Sequence, residues 1–258
     1  MLVTAGVSAC SGGGPDDFSL PSTPTTAPAV TTTSGNASPP VASPTSPLPD
    51  YVSLVALATV PRLSIYASPD DTKPARVVSN PWLLVANDPS TKVAQTFLVE
   101  SQRADGWIKV LLPVHPNGTT GWVRKEEVRV NKVGYKIKIQ IGPCLLTVFR
   151  RGDVIYQGPV AVGMPLSPTP TGNYYVRVVL KAPAGAASPF GPYAFGLAGR
   201  TNDFPTFTGA DDEIAIHGND DVAGLGRAVT LGSVRMENPE LSILAGQVPL
   251  GTPVQIVR

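Results

Sequence analysis

From about residue 54 onward, most of the chain is short runs of alternating apolar and polar residues, cut by glycine and proline. Tyr135-Lys136-Ile137-Lys138-Ile139-Gln140-Ile141 alternates without a break, the period-two pattern of a strand with one buried face. Leu145-Leu146-Thr147-Val148-Phe149 follows a turn at Gly142-Pro143-Cys144, and Arg151-Gly152-Asp153 turns the chain again into Val154-Ile155-Tyr156. Pro159-Val160-Ala161-Val162-Gly163 comes next, then a rigid loop at Pro168-Thr169-Pro170-Thr171-Gly172, then Asn173-Tyr174-Tyr175-Val176-Arg177-Val178-Val179. Upstream, the runs Leu63 to Tyr66, Thr96 to Glu100, Trp107 to Leu112 and Gly121 to Val123 predict shorter strands, with turn signals at Asp105-Gly106 and Asn117-Gly118. One segment predicts a helix: Pro239 to Ala245, with proline at its first position and Asn238 placed to cap it. The chain therefore reads as mainly β, with a small barrel over residues 54–131 and a larger β unit over residues 132–258. Trp82, Trp107 and Trp122 fall in the small barrel, where a core or half-buried place is favoured over a ligand groove.

The start of the chain has another character. No Lys or Arg precedes Arg62. Residues 1–10 are apolar and end in Val7-Ser8-Ala9-Cys10, which resembles a bacterial lipobox; that resemblance implies a lipid-modified Cys10 and an exported protein. Residues 11–53 are mostly Pro, Ser, Thr, Gly and Ala. Such a sequence buries too little apolar surface to offset its chain entropy, so it is expected to be a disordered linker. Fully extended at about 3.1 Å per residue, it would reach on the order of 120 Å.

Composition narrows the function. With 28 prolines, 25 glycines and only 15% charged residues, strands and linkers are favoured over helices. A net charge of +1 gives no reason to expect nucleic acid as a partner. The two histidines, His115 and His217, and the two cysteines, Cys10 and Cys144, make no zinc spacing, and no nucleotide-binding loop is present, so no cofactor is expected. With Cys10 lipidated, Cys144 has no partner for a disulfide.

The chemistry concentrates in Ile216-His217-Gly218 and, after a gap, Thr230-Leu231-Gly232-Ser233-Val234-Arg235-Met236. Together with Ala161-Val162-Gly163, the Pro-Thr-Pro-x-Gly loop, a Gly/Pro/aromatic stretch from Pro183 to Phe207 and the closing Leu250 to Ile256, these segments resemble the L,D-transpeptidase (YkuD-like) catalytic domain. In the upstream unit, the Gly-Trp-Ile-Lys-Val run, the Gly121-Trp122-Val123 run and the closing Glu127-Val128 resemble bacterial SH3-like domains. The resemblances imply a β-sandwich-like domain whose reactive loop lies in a cleft under a flap, with Pro183 to Phe207 as the flap. They also imply a cell-envelope location, on the outer face of the cytoplasmic membrane or in the periplasm, with peptidoglycan stem peptides as substrate.

The family's reaction is an acyl transfer. A cysteine thiolate attacks a stem-peptide carbonyl, D-alanine leaves, and the amine of a second stem resolves the thioester. Carried over by motif, His217 is the base, Gly232 lies beside the oxyanion, and Arg235, Gly218 and Tyr193 are the substrate-binding positions. Two positions depart from the motif: Ser233 stands where the nucleophilic cysteine belongs and Leu231 where a second histidine belongs. A serine lacks the ready ionisation of a thiol and needs strong activation by an oriented histidine. Asp211, Asp212, Asp220 and Asp221 flank His217 in sequence as candidate orienting groups. Two readings stay open: a pseudoenzyme that keeps the stem-peptide cleft, and a serine-variant acyltransferase working through Ser233 and His217.

Overall fold

A computed structural model of the chain describes residues 48–84, 89–183, 188–201 and 213–258. Cys10, residues 11–47 of the expected linker, parts of the expected flap (184–187 and 202–207) and the candidate orienters Asp211 and Asp212 lie outside the described residues.

The upstream strands are β1 (Ser53–Ala58), β2 (Arg62–Ile65), β3 (Arg76–Ser79), β4 (Trp82–Leu83), β5 (Lys92–Val93), β6 (Thr96–Gln102), β7 (Trp107–Leu111), β8 (Thr120–Arg124) and β9 (Val128–Val133). Five of them form one sheet in the order β8-β7-β6-β1-β9, while β2 pairs with β3 and β4 with β5. Tyr66, just past β2, bridges to Trp122 in β8, bringing the β2–β3 ribbon against that edge. Leu63, Ile65, Phe97, Ile108, Val110 and Val123 then share one buried cluster, the filling of a small barrel. Trp107 is buried; Trp82 and Trp122 are half-buried.

The Asn117-Gly118 signal does not mark a two-residue hairpin. The Leu112 N–H bonds the Thr119 carbonyl at 2.8 Å, and the Thr119 N–H bonds the Pro116 carbonyl at 3.2 Å. Asn117 and Gly118 are thus the middle of a four-residue turn at the tip of a longer β7–β8 loop. Of the two, only Gly118 has a positive φ, whereas a type I′ turn requires it at both positions and a type II′ turn at the first.

Downstream run β10 (Tyr135–Gln140), β11 (Leu145–Arg150), β12 (Asp153–Pro159), β13 (Val162–Gly163), β14 (Gly172–Lys181), β15 (Tyr193–Arg200), β16 (Glu213–Asn219), β17 (Ala228–Thr230), β18 (Val234–Glu237), helix α1 (Asn238–Ala245) and β19 (Pro253–Val257). Eight of these strands make a continuous sheet, ordered β12-β11-β10-β19-β14-β15-β16-β18, and β13 pairs with β17. The sheet curls around one core. Ile137 and Ile139 from β10, Leu146 and Val148 from β11, Phe195 and Leu197 from β15, and Ile214 and Ile216 from β16 meet Leu241 and Leu244 of α1 there. The unbroken alternation of β10 is the reason Ile137 and Ile139 face inward while Lys136 stays exposed. Between β11 and β12, Arg151 and Gly152 both have positive φ, 52° and 93°, the two-residue turn whose twist matches the flanking strands.

The helix departs from expectation at its cap. Glu237, extended at φ −65° and ψ 140°, occupies the cap position, and no side chain caps the first turn. Asn238 is already helical, so its side chain is free to bond Asp220 Oδ1, at 2.6 Å.

The two sheets pack within one unit, Pro49–Arg258. Leu98 and Leu111 of the small barrel press on Tyr175 and Ala198. Arg177 stacks 3.8 Å over the Trp82 ring and pairs with the buried Glu213 carboxylate. Gly251 completes the junction: its φ is +81°, and a Cβ there would lie 2.5 Å from Val55 Cγ1 in β1. Gly251→Ala should therefore cost about 2 kcal/mol in backbone strain and overpacking. That lowers the thermal midpoint by roughly 4–8 °C for a unit of this size. An unchanged midpoint in thermal unfolding would show that β1 does not press on this turn.

Candidate active site

β16 and β18 lie side by side and parallel, with Ile216 opposite Val234, His217 opposite Arg235 and Gly218 opposite Met236. Ser233 is the residue just before β18, two positions before the register partner of His217 on the neighbouring strand. On the other side of β16, Ala194 pairs with His217, so Tyr193 begins the adjacent strand. The structure thus gathers His217, Gly218, Gly232, Ser233 and Arg235 at one end of the sheet, with Tyr193 one strand away. His115 is exposed in the β7–β8 loop, and Cys144 is a buried free thiol whose pKa burial pushes up. Among the described residues no group of three His, Cys, Asp or Glu is placed to hold a metal ion.

Between His217 and Ser233 the chain passes through a short 3-10 turn, Val222–Gly224, capped by Asp221, whose carboxylate accepts from the Ala223 N–H at 3.1 Å. It then runs as β17 beside β13, and the Met164 N–H bonds the Thr230 carbonyl at 2.9 Å. β18 is anchored to Ala161 by reciprocal backbone bonds with Arg235 of 2.8 and 2.9 Å.

His217 is only 4% exposed. Its Nδ1 lies 2.8 Å from the Gly218 carbonyl oxygen. A carbonyl only accepts, so Nδ1 carries the proton and Nε2 keeps the lone pair a general base needs. The Phe190 ring stands edge-on to the imidazole at 5.2 Å, and the Phe190 carbonyl accepts the Gly218 N–H at 3.0 Å. Burial pushes the His217 pKa down to about 4; the bond to Gly218 works against that shift, and the Arg235 charge adds to it. No carboxylate contacts the ring among the described residues. Asp220 is bonded to Asn238 and Asp221 caps its turn.

The loop Thr230 to Ser233 is held by its own backbone and one hydroxyl. Thr230 Oγ1 donates to the Ser233 carbonyl at 2.5 Å and accepts the Gly232 N–H at 3.2 Å. The glycine that the motif places beside the oxyanion thus has its N–H taken by Thr230. Gly232 has φ +108°. A Cβ on it would come within 3.2 Å of Thr201 Cγ2 and 3.8 to 3.9 Å of the Pro168 and Ser167 carbonyls. The φ favours glycine, and the cradle leaves a Cβ only a tight place beside the Thr201 methyl. Leu231, at the position of the second histidine, is 49% exposed, and Leu166 on the facing loop is 90% exposed. The lip is apolar where the motif is polar.

Residues that the motif did not single out complete the site. Asn238 fills the space beside Gly218 and Gly191, bracing the backbone whose carbonyl orients His217. Thr230, Thr201 and Phe190 act as described. Thr230 stood in the quoted motif segment, and Phe190 and Thr201 in the stretch expected to cover the cleft, but none was marked for the contact it makes.

The YkuD family model, an L,D-transpeptidase catalytic domain, matches residues 134–256. The protein YkuD of Bacillus subtilis (strain 168), which bears an L,D-transpeptidase name, is 35% identical over 126 residues, 49% of this chain and 68% of that protein. Its Bacillus licheniformis namesake is 29% identical over 124 residues, 48% and 66% of the two chains. Among solved structures, an L,D-transpeptidase from Mycobacterium smegmatis matches 62% of this chain and 81% of its own, at 16% identity and a TM-score of 0.40. L,D-transpeptidase 3 from Mycobacterium tuberculosis, in complex with a faropenem-derived adduct, matches 59% and 91% at 15% identity and a TM-score of 0.42.

The buried imidazole has a consequence for stability. Its folded pKa of about 4 lies below the usual 6.5, so as pH falls the unfolded chain takes up the proton first. Stability is full above about 6.5 and declines towards pH 4, by up to about 3 kcal/mol. Urea unfolding of His217→Gln beside the native chain, from pH 7 to pH 4, should show the native chain alone carrying this slope. Parallel profiles would mean that the ring is solvated.

Proposed function

The chain belongs to the YkuD family of L,D-transpeptidases, and from that membership we propose that it is a cell-wall protein that binds peptidoglycan stem peptides at the Ser233–His217 cleft and performs the family's acyl transfer very slowly or not at all. The observation that carries the second half is the environment of His217. Its Nδ1 is satisfied by a backbone carbonyl, and its pKa is held down at about 4. A base that weak, at neutral pH, takes a proton from a serine hydroxyl only far uphill. With a thiol the demand is smaller, because the thiolate is accessible near neutrality and is intrinsically nucleophilic. The same histidine that would suffice for a cysteine is therefore a poor partner for Ser233.

A serine-variant acyltransferase needs a carboxylate on Nδ1 to stabilise the imidazolium as it forms. Gly218 holds that position. Leu231 further removes a polar group from the lip of the cleft. The first fifty residues extend the proposal: an exported chain, lipid-anchored at Cys10, with residues 11–53 as a tether and residues 54–131 as an SH3-like unit. These assignments rest on sequence motifs.

Intact-mass spectrometry tests the reading. The protein, Ser233→Cys and Ser233→Ala would each be incubated with a tetrapeptide stem and, separately, with a carbapenem, and stem binding would be followed by calorimetry. The expected result is stem binding by all three and adducts from Ser233→Cys alone. A crosslinked product or adduct from the native chain that disappears in Ser233→Ala would make it a serine enzyme. Absence of stem binding in all three would remove the ligand from the proposal.

A further inference from the structure

The cradle around Gly232 has two walls, and both lead back to one side chain in the small barrel. One wall is Thr201, which is 4% exposed; among the described residues its hydroxyl has no hydrogen-bond partner, so its methyl is placed against Gly232 by packing and by the strand it directly follows. That strand is β15, whose last residue, Arg200, is gripped at both backbone groups by Asn117. The Arg200 N–H donates to Asn117 Oδ1 at 2.8 Å, and Asn117 Nδ2 donates to the Arg200 carbonyl at 2.8 Å. The carboxamide thus continues the sheet as a further strand would. The Arg200 guanidinium reaches back to the Pro113 carbonyl at 3.4 Å, in the same loop as Asn117.

The other wall is the loop Ser167 to Gly172. Its far end is tied to the Tyr174 hydroxyl, which lies 3.2 and 3.1 Å from the Pro170 and Thr171 carbonyls. That hydroxyl is also within reach of Asn117 Nδ2, at 3.4 Å. One amide, more than eighty residues upstream of Arg200 in sequence, stands behind both walls.

We propose that Asn117 is a positioning residue for the reactive loop: by clamping Arg200 and Tyr174 it fixes the cradle that holds Gly232 at positive φ and presents Ser233 to the cleft. The small barrel is on this account a structural part of the site. The inference rests on the reading of the Gly232–Ser233 loop as the ligand-binding loop. It also accounts for the Asn117-Gly118 turn at the tip of an extended loop: Gly118 takes the positive φ, which leaves the Asn117 amide to point outward at β15.

Hydrogen exchange of the full chain, read by mass spectrometry without ligand, tests the clamp independently of any activity. Asn117→Ala should speed exchange at residues 199–201 and 230–235 by about tenfold, the factor that one ordinary hydrogen bond is worth. Exchange in β10 and β11 should be unchanged. Asn117→Asp keeps the acceptor for the Arg200 N–H but loses both donated bonds, and it should loosen the same two segments while the fold is retained. Stem-peptide affinity, measured alongside, should fall by a similar factor in both variants. A uniform rise in exchange across all strands, or no change at 230–235 in either variant, overturns the proposal. Failure of the native chain to bind stem peptide would sink the functional reading and leave the exchange result standing.

Discussion

Two strands that run side by side in the same direction cannot be joined by a tight turn; the chain between them must leave the sheet and return. β16 and β18 are such a pair, and the whole candidate site depends on how the intervening residues make that return. They do so through backbone bonds: β17 along β13, Met164 to Thr230, and Ala161 to Arg235. All of these are backbone bonds, and the Ser233 side chain is in none of them. The loop keeps its shape through the Thr230 hydroxyl and the conformation of Gly232, so its architecture does not depend on which side chains stand at 231 and 233. Shape and reactivity are separable here because different atoms carry them.

The electrostatics follow from the same layout. Placing His217 on a strand with neighbours on both sides, under Phe190, removes water from the ring and favours its neutral form. The Gly218 carbonyl then selects the tautomer, leaving Nε2 as the acceptor. Arg235, directly opposite in register, works against protonation. A neutral, fixed imidazole beside a thiol is one step from an ion pair. Beside a hydroxyl it is a hydrogen-bond acceptor and little more, since neither partner moves its proton readily.

Much of this was legible in the sequence, for reasons that differ by element. The alternation of Tyr135 to Ile141 reports burial directly, because a strand has a period of two. The hairpin at Arg151-Gly152 is a local matter of φ. The short motifs around His217 and Ser233 mark the segments that β16 and β18 bring together, since their spacing carries the crossover. What could not be read is the long-range use of side chains. Asn238 fits a helix cap in isolation, yet Asp220, eighteen residues away, takes its amide. Asn117-Gly118 fits a tight hairpin, yet the asparagine reaches β15. In both cases the local preference was genuine and a partner distant in sequence decided the outcome.

The buried polar groups around His217 and Ser233 carry a cost to the fold. A buried neutral histidine is a liability to folding: it weakens the fold as pH falls and offers no packing that an apolar side chain of similar size could not supply. The buried hydroxyl of Thr201 and the buried Asn238 oxygen, both without hydrogen-bond partners among the described residues, weigh in the same direction. Apolar side chains of the same shape at these positions would remove that cost. Thr201 Oγ1 and Asn238 Oδ1 are closed off from solvent, so they are a cost the fold carries beside Gly232 and Gly218, where they shape the backbone that holds Ser233 and His217.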